Sequence, residues 1–501
     1  MVLLQVWEID SILVWERMIK VYCIKNGIAL RNKSIIILVT CLLIGIRLSA
    51  ADWWPVAMHN PDNSGDTIYY AAELSAVASI GDAPFWLQAL EHGNISAAPY
   101  SGNITAAAYK KATRPCRWYD YDFAVVLTGR FDTQRTTGYF RSLYAHARLY
   151  IVDITAGIKP LIVGSQNPQL TTGGLLFSGN AYPIPRVSIG IDEYIPFPGL
   201  YGYLEVKGGL THGWFVDNSC LDTTIHTTNA LMHYKFIGLR AGGELPINIA
   251  YELHHVGQWG GISPYYGKFS TSWDTYKHIV LAQGGGNNLS DQLNAEGNHI
   301  GVQELSLTAK WTNWNITAYW QTIFEDKSAN FIGRTNQEDG LWGVALQQNE
   351  WPFINAVTFE FLNTTRQDGP WHDRDGQVYG GRSNYYNNSS YKQGWMHFGH
   401  TIGNAMMTPD NNRVRVYFAG ATGDIYGFNY QVKISHARNW GTYSSPNFST
   451  NTACMLDVKK HVKEAWGLDF GLRLAADIGT QYGNRFGAMI TISKQGIIHS
   501  Y

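Results

Sequence analysis

The chain predicts a transmembrane antiparallel outer-membrane β-barrel of roughly 18 strands, on three observations. Apolar and polar residues alternate with period two from end to end. Charged residues are only 15% of the 501, against roughly 25% in soluble domains, while Gly reaches 51 and Tyr 30. The connections between alternating runs are unequal, some very short and others long and polar. Hydrophobic content is an ordinary 45%, so the chain does not read as a helical membrane protein with long apolar spans. A net charge of −1 without a basic block gives nucleic-acid binding no support.

Residues 1–51 read as a targeting segment. Lys25, Arg31 and Lys33 precede an apolar run from Ser34 to Ile46, which has the length of a signal-peptide core and is too short to span. Ser49-Ala50-Ala51 supplies the small residues of a cleavage site, so maturation is expected at Asp52, with Met18 an alternative true start. A lipoprotein signal at Cys41 is disfavoured because apolar residues, not a polar tether, follow it. Residues 52–501 show no linker and no shift of composition, and are read as one barrel domain. Cys116, Cys220 and Cys454 are far apart and odd in number, which excludes a dense disulfide framework or a Cys-x-x-Cys knuckle.

The strands follow in order. Ile68, Tyr70, Ala72, Leu74 and Ala76 alternate with Glu73 and Ser75; Leu143, Ala145, Ala147 and Leu149 alternate with His146 and Arg148. Residues 304–311 and 314–321 alternate on either side of Thr312-Asn313, a tight hairpin. In the second half Val414, Val416 and Phe418 oppose Arg413, Arg415 and Tyr417, and the runs 426–435, 466–474 and 486–498 behave alike. A soluble sandwich also alternates. Against it stand Trp311, Trp314, Trp320, Tyr426 and Trp466 near strand ends, as an interfacial girdle requires, and the contrast between short connections at 312–313 and 421–424 and long ones at 262–300 and 364–395.

Catalytic and metal constellations are scarce. Asp192, Glu193 and Glu205 are carboxylates, but Glu205 alternates with Tyr203 and Lys207 on one face and reads as a lumen charge. His254 and His255 are adjacent on a strand and point to opposite faces, so they do not share an ion. Asp373-Arg374-Asp375-Gly376 starts like a calcium loop without its later ligands. Neither Gly-x-Ser-x-Gly nor a P-loop is present. No catalytic residue, metal or cofactor is therefore expected, and the chain is not read as an enzyme. What remains is a long segment rich in rings and amides, with Trp371, Asn384, Tyr385, Tyr386 and Trp395, to which Trp259 of the Gln258-Trp259-Gly260-Gly261 stretch is added. Rings can stack on the apolar faces of sugars while amides bond the hydroxyls. The same composition also suits a loop that packs its own rings to plug the barrel mouth.

Several stretches carry a resemblance. These are Tyr70 to Ser75 with Pro84-Phe85-Trp86-Leu87, Gly179 to Arg186 followed by Tyr194 to Pro198, and Gly208 to Leu210 with His212 to Phe215. Gln258 to Gly261, Asp339 to Gly343, Glu360 to Thr365, Tyr385 to Asn388 and Ile402-Gly403-Asn404 complete the series. In order and spacing they resemble the capsule-assembly Wzi family in its Bacteroidetes-type form, over most of residues 68–501. Ala405 stands where the pattern leads one to expect proline. The resemblance implies an outer-membrane lectin without enzyme activity. It would bind capsular or other surface polysaccharide, help attach or assemble the capsule, and sit in outer-membrane lipid; contact with capsule-export machinery as a further partner stays open. The alternative is an oligosaccharide-permeable, porin-like channel, and less so a surface glycan hydrolase.

Overall fold

The computed structural model describes residues 67–112, 118–218, 224–285, 295–325, 338–367, 369, 373–374, 377–378 and 381–500. The targeting segment, its cleavage site, Met18, Cys116 and Cys220 lie outside these. No helix among the described residues is long and apolar enough to cross a membrane. Eighteen strands instead form one sheet. They are β1 (Thr67–Ile80), β2 (Tyr100–Lys110), β3 (Tyr119–Asp132), β4 (Thr136–Leu149), β5 (Val152–Ile158), β6 (Arg186–Pro196), β7 (Leu204–Trp214), β8 (Leu231–Ala241) and β9 (Ile247–Trp259). The second half contributes β10 (Asn298–Lys310), β11 (Trp314–Phe324), β12 (Gly340–Gln348), β13 (Ala356–Asn363), β14 (Val414–Ile425), β15 (Phe428–Gly441), β16 (Pro446–Val462), β17 (Leu468–Gly479) and β18 (Arg485–Ser500).

Each strand pairs antiparallel with its sequence neighbours, and β1 pairs with β18 from Thr67↔Ser500 to Ile80↔Phe486. The sheet is therefore a closed meander without an edge, and every strand finds its hydrogen-bond partners inside the ring. Period two decides which side chains meet which medium. On β1 Leu74 is exposed while Ser75 and Val77 are buried; on β10 Leu305 and Leu307 are exposed while Glu304 and Ser306 are buried. Apolar side chains thus point outward to lipid and much of the polar set points into the lumen, the reverse of a soluble core.

The two rims differ. After even-numbered strands the connections are short: 111–118, 150–151, 197–203, 242–246, 311–313, 349–355, 426–427 and 463–467. Aromatics sit on them, with Trp118, Tyr150, Tyr201, Trp311, Trp351, Tyr426 and Trp466 all exposed. Both ends of the described barrel, Thr67 and Ser500, lie at this rim. After odd-numbered strands come all the long connections, 81–99, 159–185, 215–230, 260–297, 325–339 and 364–413, beside shorter ones. In outer-membrane barrels the short turns are periplasmic and the long loops external.

One expected turn is displaced. Residues 421–424 belong to β14, and the reversal is at Tyr426-Gly427, with φ of 55° and 73°. The small residues Ala419, Gly420, Ala421 and Gly423 blur the alternation and resemble a turn, whereas the two successive positive φ values fit a two-residue hairpin that matches strand twist.

Candidate functional site

The long-loop rim is where the chain departs from a plain barrel, because three of its loops fold inward. The 159–185 loop is held by two lumen-facing glutamates. Glu360 on β13 accepts from Thr171 Oγ1 (2.6 Å), Thr172 N (2.7 Å), Thr172 Oγ1 (2.7 Å) and Tyr319 Oη (2.7 Å). Glu304 on β10 accepts from Ser165 N (2.9 Å), the Ser165 hydroxyl and Gln321 Nε2 (2.7 Å), while Gln321 Oε1 accepts from Leu175 N (2.9 Å). Such charge-assisted bonds are the stronger kind, and a buried carboxylate needs them to offset its desolvation.

On this anchored segment packs the 364–413 loop. Tyr386 donates to Leu175 O (2.6 Å) and accepts from Asn404 N (3.1 Å), and Trp395 Nε1 donates to Leu176 O (3.0 Å). Ala405 N donates to Thr172 O (3.3 Å), a bond that the proline of the resembling pattern could not make. Leu175, Leu176, Phe177, Tyr385, Tyr386, Tyr391 and Trp395 form one buried cluster with inward residues of the wall, among them Val256, Ile300, Ile323 and Leu341.

The 81–99 loop makes the third insertion through α1 (Phe85–Gln88). Trp86 Nε1 donates to Ser435 Oγ (3.1 Å), Phe85 N donates to Asp477 Oδ2 (2.9 Å), and Glu91 pairs with Arg473. Burial would raise the Glu91 carboxyl, but Arg473, Arg141 and Lys433 together outweigh it and hold the pKa at about 2. Burial also lowers His92 to about 4, and lowers fully buried His397 against the opposing pull of Asp217.

These contacts place the expected sugar-binding residues. Tyr385, Tyr386 and Trp395 are 0% exposed, and Trp259 is buried beside Tyr276 (5.3 Å between ring centroids). The faces of Tyr385, Tyr386 and Trp395 meet protein inside the barrel mouth, as in a loop that packs its own rings, whereas Trp259, the last residue of β9, faces outward beneath the helix Trp273–Leu281. Asn384 is exposed and its Oδ1 accepts from Asn387 Nδ2 (3.1 Å) and Asn412 Nδ2 (2.7 Å). Trp371 lies outside the described residues, as do Asp375 and Gly376 of the calcium-like run. Among the exposed rings at this rim are Tyr265, Tyr266 and Trp273 of the 260–297 loop. Lys392 stands 3.5 Å from the Tyr265 ring centroid, which joins this loop to the plug. In sequence these rings lacked the amide neighbours that singled out 384–395.

That loop folds outward. Its helix α2 (Trp273–Leu281) is capped by Ser272, whose side chain accepts from Thr275 N. His233 and His299 are buried although they share the outward face with exposed Ile237 and Leu305. α2 covers them: Tyr276 Oη meets His233 Nδ1 (3.3 Å), Lys235 Nζ donates to Val280 O, and buried Ile279 would collide with a Cβ on Gly257. His255 also lies outward, against His299 (3.1 Å), while His254 points inward to Glu252 (3.0 Å) and Tyr234 (2.8 Å).

Toward the short-turn rim the lumen wall is charged. Glu205 is gripped by Arg240 (2.5 and 2.9 Å), Asp457 by Arg473 (3.0 Å), and Lys207 reaches Glu252 (2.7 Å). Among the described residues one group has cation-site spacing, His146, Asp153 and Asp192. Arg148 already forks Asp153 (2.7 and 3.2 Å) and His146 bonds both Asp153 and Asp122, so this is an ion-pair network.

The geometry defines a closed 18-stranded antiparallel barrel of the outer-membrane kind, with loops folded into its outer half. No family model matches the chain, and no curated protein sequence does. Among solved structures it superposes on Wzi of Escherichia coli, described as an outer membrane protein involved in group 1 capsule assembly and a carbohydrate-binding β-barrel. The TM-score is 0.55 at 13% identity, over 84% of each chain. A BenF-like porin from Pseudomonas fluorescens Pf-5 (TM-score 0.47, 11% identity, 87% of this chain and 99% of that one) and OprD of Pseudomonas aeruginosa (0.43, 11%, 87% and 96%) are also similar. At these identities the likeness establishes the barrel fold.

Proposed function

We propose that the chain is an outer-membrane lectin that binds capsular or other surface polysaccharide and helps hold or assemble it at the cell surface. The observation that carries this reading is the occupied outer lumen. Segments 163–178 and 385–407 are bonded to each other and to Glu304 and Glu360, where an open pore would leave a water path. The likeness to a barrel described as carbohydrate binding supports the same reading. Tyr265 and Tyr266 offer open ring faces for sugar C–H groups, and Asn384 and Lys392 offer exposed polar groups on the adjoining loop. Each contact is weak, but a repeating polymer engages many barrels at once and gains avidity.

The test is binding of purified capsular polysaccharide to reconstituted protein. The reading expects retention that falls about tenfold in Tyr265→Ala/Tyr266→Ala with the barrel still folded, each ring contact being worth roughly 0.5–1.5 kcal/mol. No binding of any surface polysaccharide by the intact protein would overturn it. One observation favours the second reading, an oligosaccharide-permeable channel: the charge-lined inner lumen around Arg240, Glu205, Arg473 and Asp457 resembles a pore wall once a plug has moved.

A further inference from the structure

On the outward wall at the long-loop rim, β14 and β15 carry arginines where lipid-facing side chains belong. Tyr417 on β14 and Ile434 on β15 point outward and are exposed, and Phe359 does the same on β13. Two residues beyond Tyr417 stands Arg415, and its direct cross-strand partner is Arg438. Arg413 follows at the strand's edge. Like charges directly opposite each other on one face repel. Among the described residues no carboxylate lies within ion-pair distance of these three. Arg415 Nε donates to Asn363 Oδ1 (3.3 Å), and Arg413 Nε donates to Thr365 O (3.1 Å) and stands 3.9 Å from the Tyr443 ring centroid. Arg438 is exposed. Neutral acceptors orient two of the guanidiniums, and among the described residues no carboxylate compensates the charge of the three.

The level of this cluster suggests what compensates it. Below it, past His436, which is opposite Tyr417 and bonds Thr452 Oγ1 (2.9 Å), the same face turns apolar, with Phe359, Tyr417 and Ile434 facing hydrocarbon. Beside it Trp440 lies 5.8 Å from the Arg415 guanidinium and 6.0 Å from Phe448, an amphipathic pair of the kind found at headgroup depth. A ligand that satisfies both parts has phosphate oxygens above and acyl chains below. Arginine forks match phosphate bidentately, and basic clusters at a bilayer surface attract anionic lipid.

We infer that Arg413, Arg415 and Arg438 form a binding site for a phosphate-bearing lipid of net negative charge in the external leaflet, whose acyl chains lie on Phe359, Tyr417 and Ile434. The site is on the outside of the wall and is independent of polysaccharide binding at the mouth.

Native mass spectrometry of the full chain in zwitterionic detergent tests this, with phosphatidic acid, phosphatidylcholine and inorganic phosphate as probes. The expected result is a retained phosphatidic acid adduct that falls about tenfold in Arg415→Gln/Arg438→Gln, with phosphatidylcholine weaker and unchanged. Thermal unfolding of the same variant in lipid-free detergent checks folding, and relief of the repulsion should leave its Tm equal to or above that of the parent. Equal retention of both lipids, or an adduct indifferent to the two substitutions, would overturn the proposal. Full displacement of the lipid by millimolar inorganic phosphate would assign the arginines to a free anion and overturn it as well.

Discussion

Loops 364–413 and 260–297 leave the same rim of one barrel, yet the first turns into the lumen and the second turns out over the wall. The inward loop carries large rings with a polar end, and each of these finds an acceptor: Tyr386 and Trp395 donate to Leu175 O and Leu176 O of another inserted loop, Tyr385 to Asp339 and Tyr391 to Gly260 O. The outward loop forms a short capped helix, with only Thr275 and Ile279 buried and Trp273 left exposed. The difference teaches where each loop's stability comes from. The plug is a small protein core enclosed by a sheet, whereas α2 is a surface clasp that shields polar groups on the membrane-facing wall.

The largest expected effect comes from breaking the inward core. Trp395→Ala removes a fully buried indole and its bond to Leu176 O and should cost about 3–5 kcal/mol of plug stability. Limited proteolysis within 385–407 should accelerate while the barrel remains heat-modifiable on gels. Acid should act next, on the inserted 81–99 loop. His92 is held near 4 against 6.5 when unfolded, so the unfolded loop binds more protons. Stability is complete above about 6.5 and is lost as pH falls toward 4, by up to about 3 kcal/mol from this residue, with His397 shifted in the same direction. Protease sensitivity of 81–99 that does not change between pH 7 and 4.5 would contradict this. On the outward side Ile279→Ala should loosen α2 by about 2 kcal/mol, seen as faster hydrogen exchange at 273–281 with no change in the plug. Smallest is Ser272→Ala, about 1 kcal/mol from loss of the cap to Thr275 N, read by the same exchange. If the α2 substitutions also opened the plug, the two loops would be one cooperative unit and the comparison would fail.

Much of the barrel was legible because period two marks both faces directly. Leu305 and Leu307 against Glu304 and Ser306 needed no distant information, and the Thr312-Asn313 hairpin was located from its two flanking runs. The turn at Tyr426-Gly427 was misplaced because small residues in β14 erase the contrast between faces. The candidate site was less legible. Tyr385, Tyr386 and Trp395 have the composition of a sugar platform and equally of a plug, and what decides between them is Leu175 and Leu176, about two hundred residues earlier in the chain. Outward His233 and His299 look like breaks in the lipid-facing pattern until α2 is seen to cover them. In sequence Glu304 is one polar member of an alternating run and Glu360 one residue of a resembling stretch, and only the insertion of 163–178 turns them into anchors.

The most direct test of the central claim is single-channel conductance of the purified protein in planar bilayers. The account predicts a closed barrel at neutral pH, with brief openings at most, and steady conductance only after Trp395→Ala. A stable open channel in the unmodified protein would contradict it, since the account has the segment bonded to Glu304 and Glu360 obstruct the outer lumen.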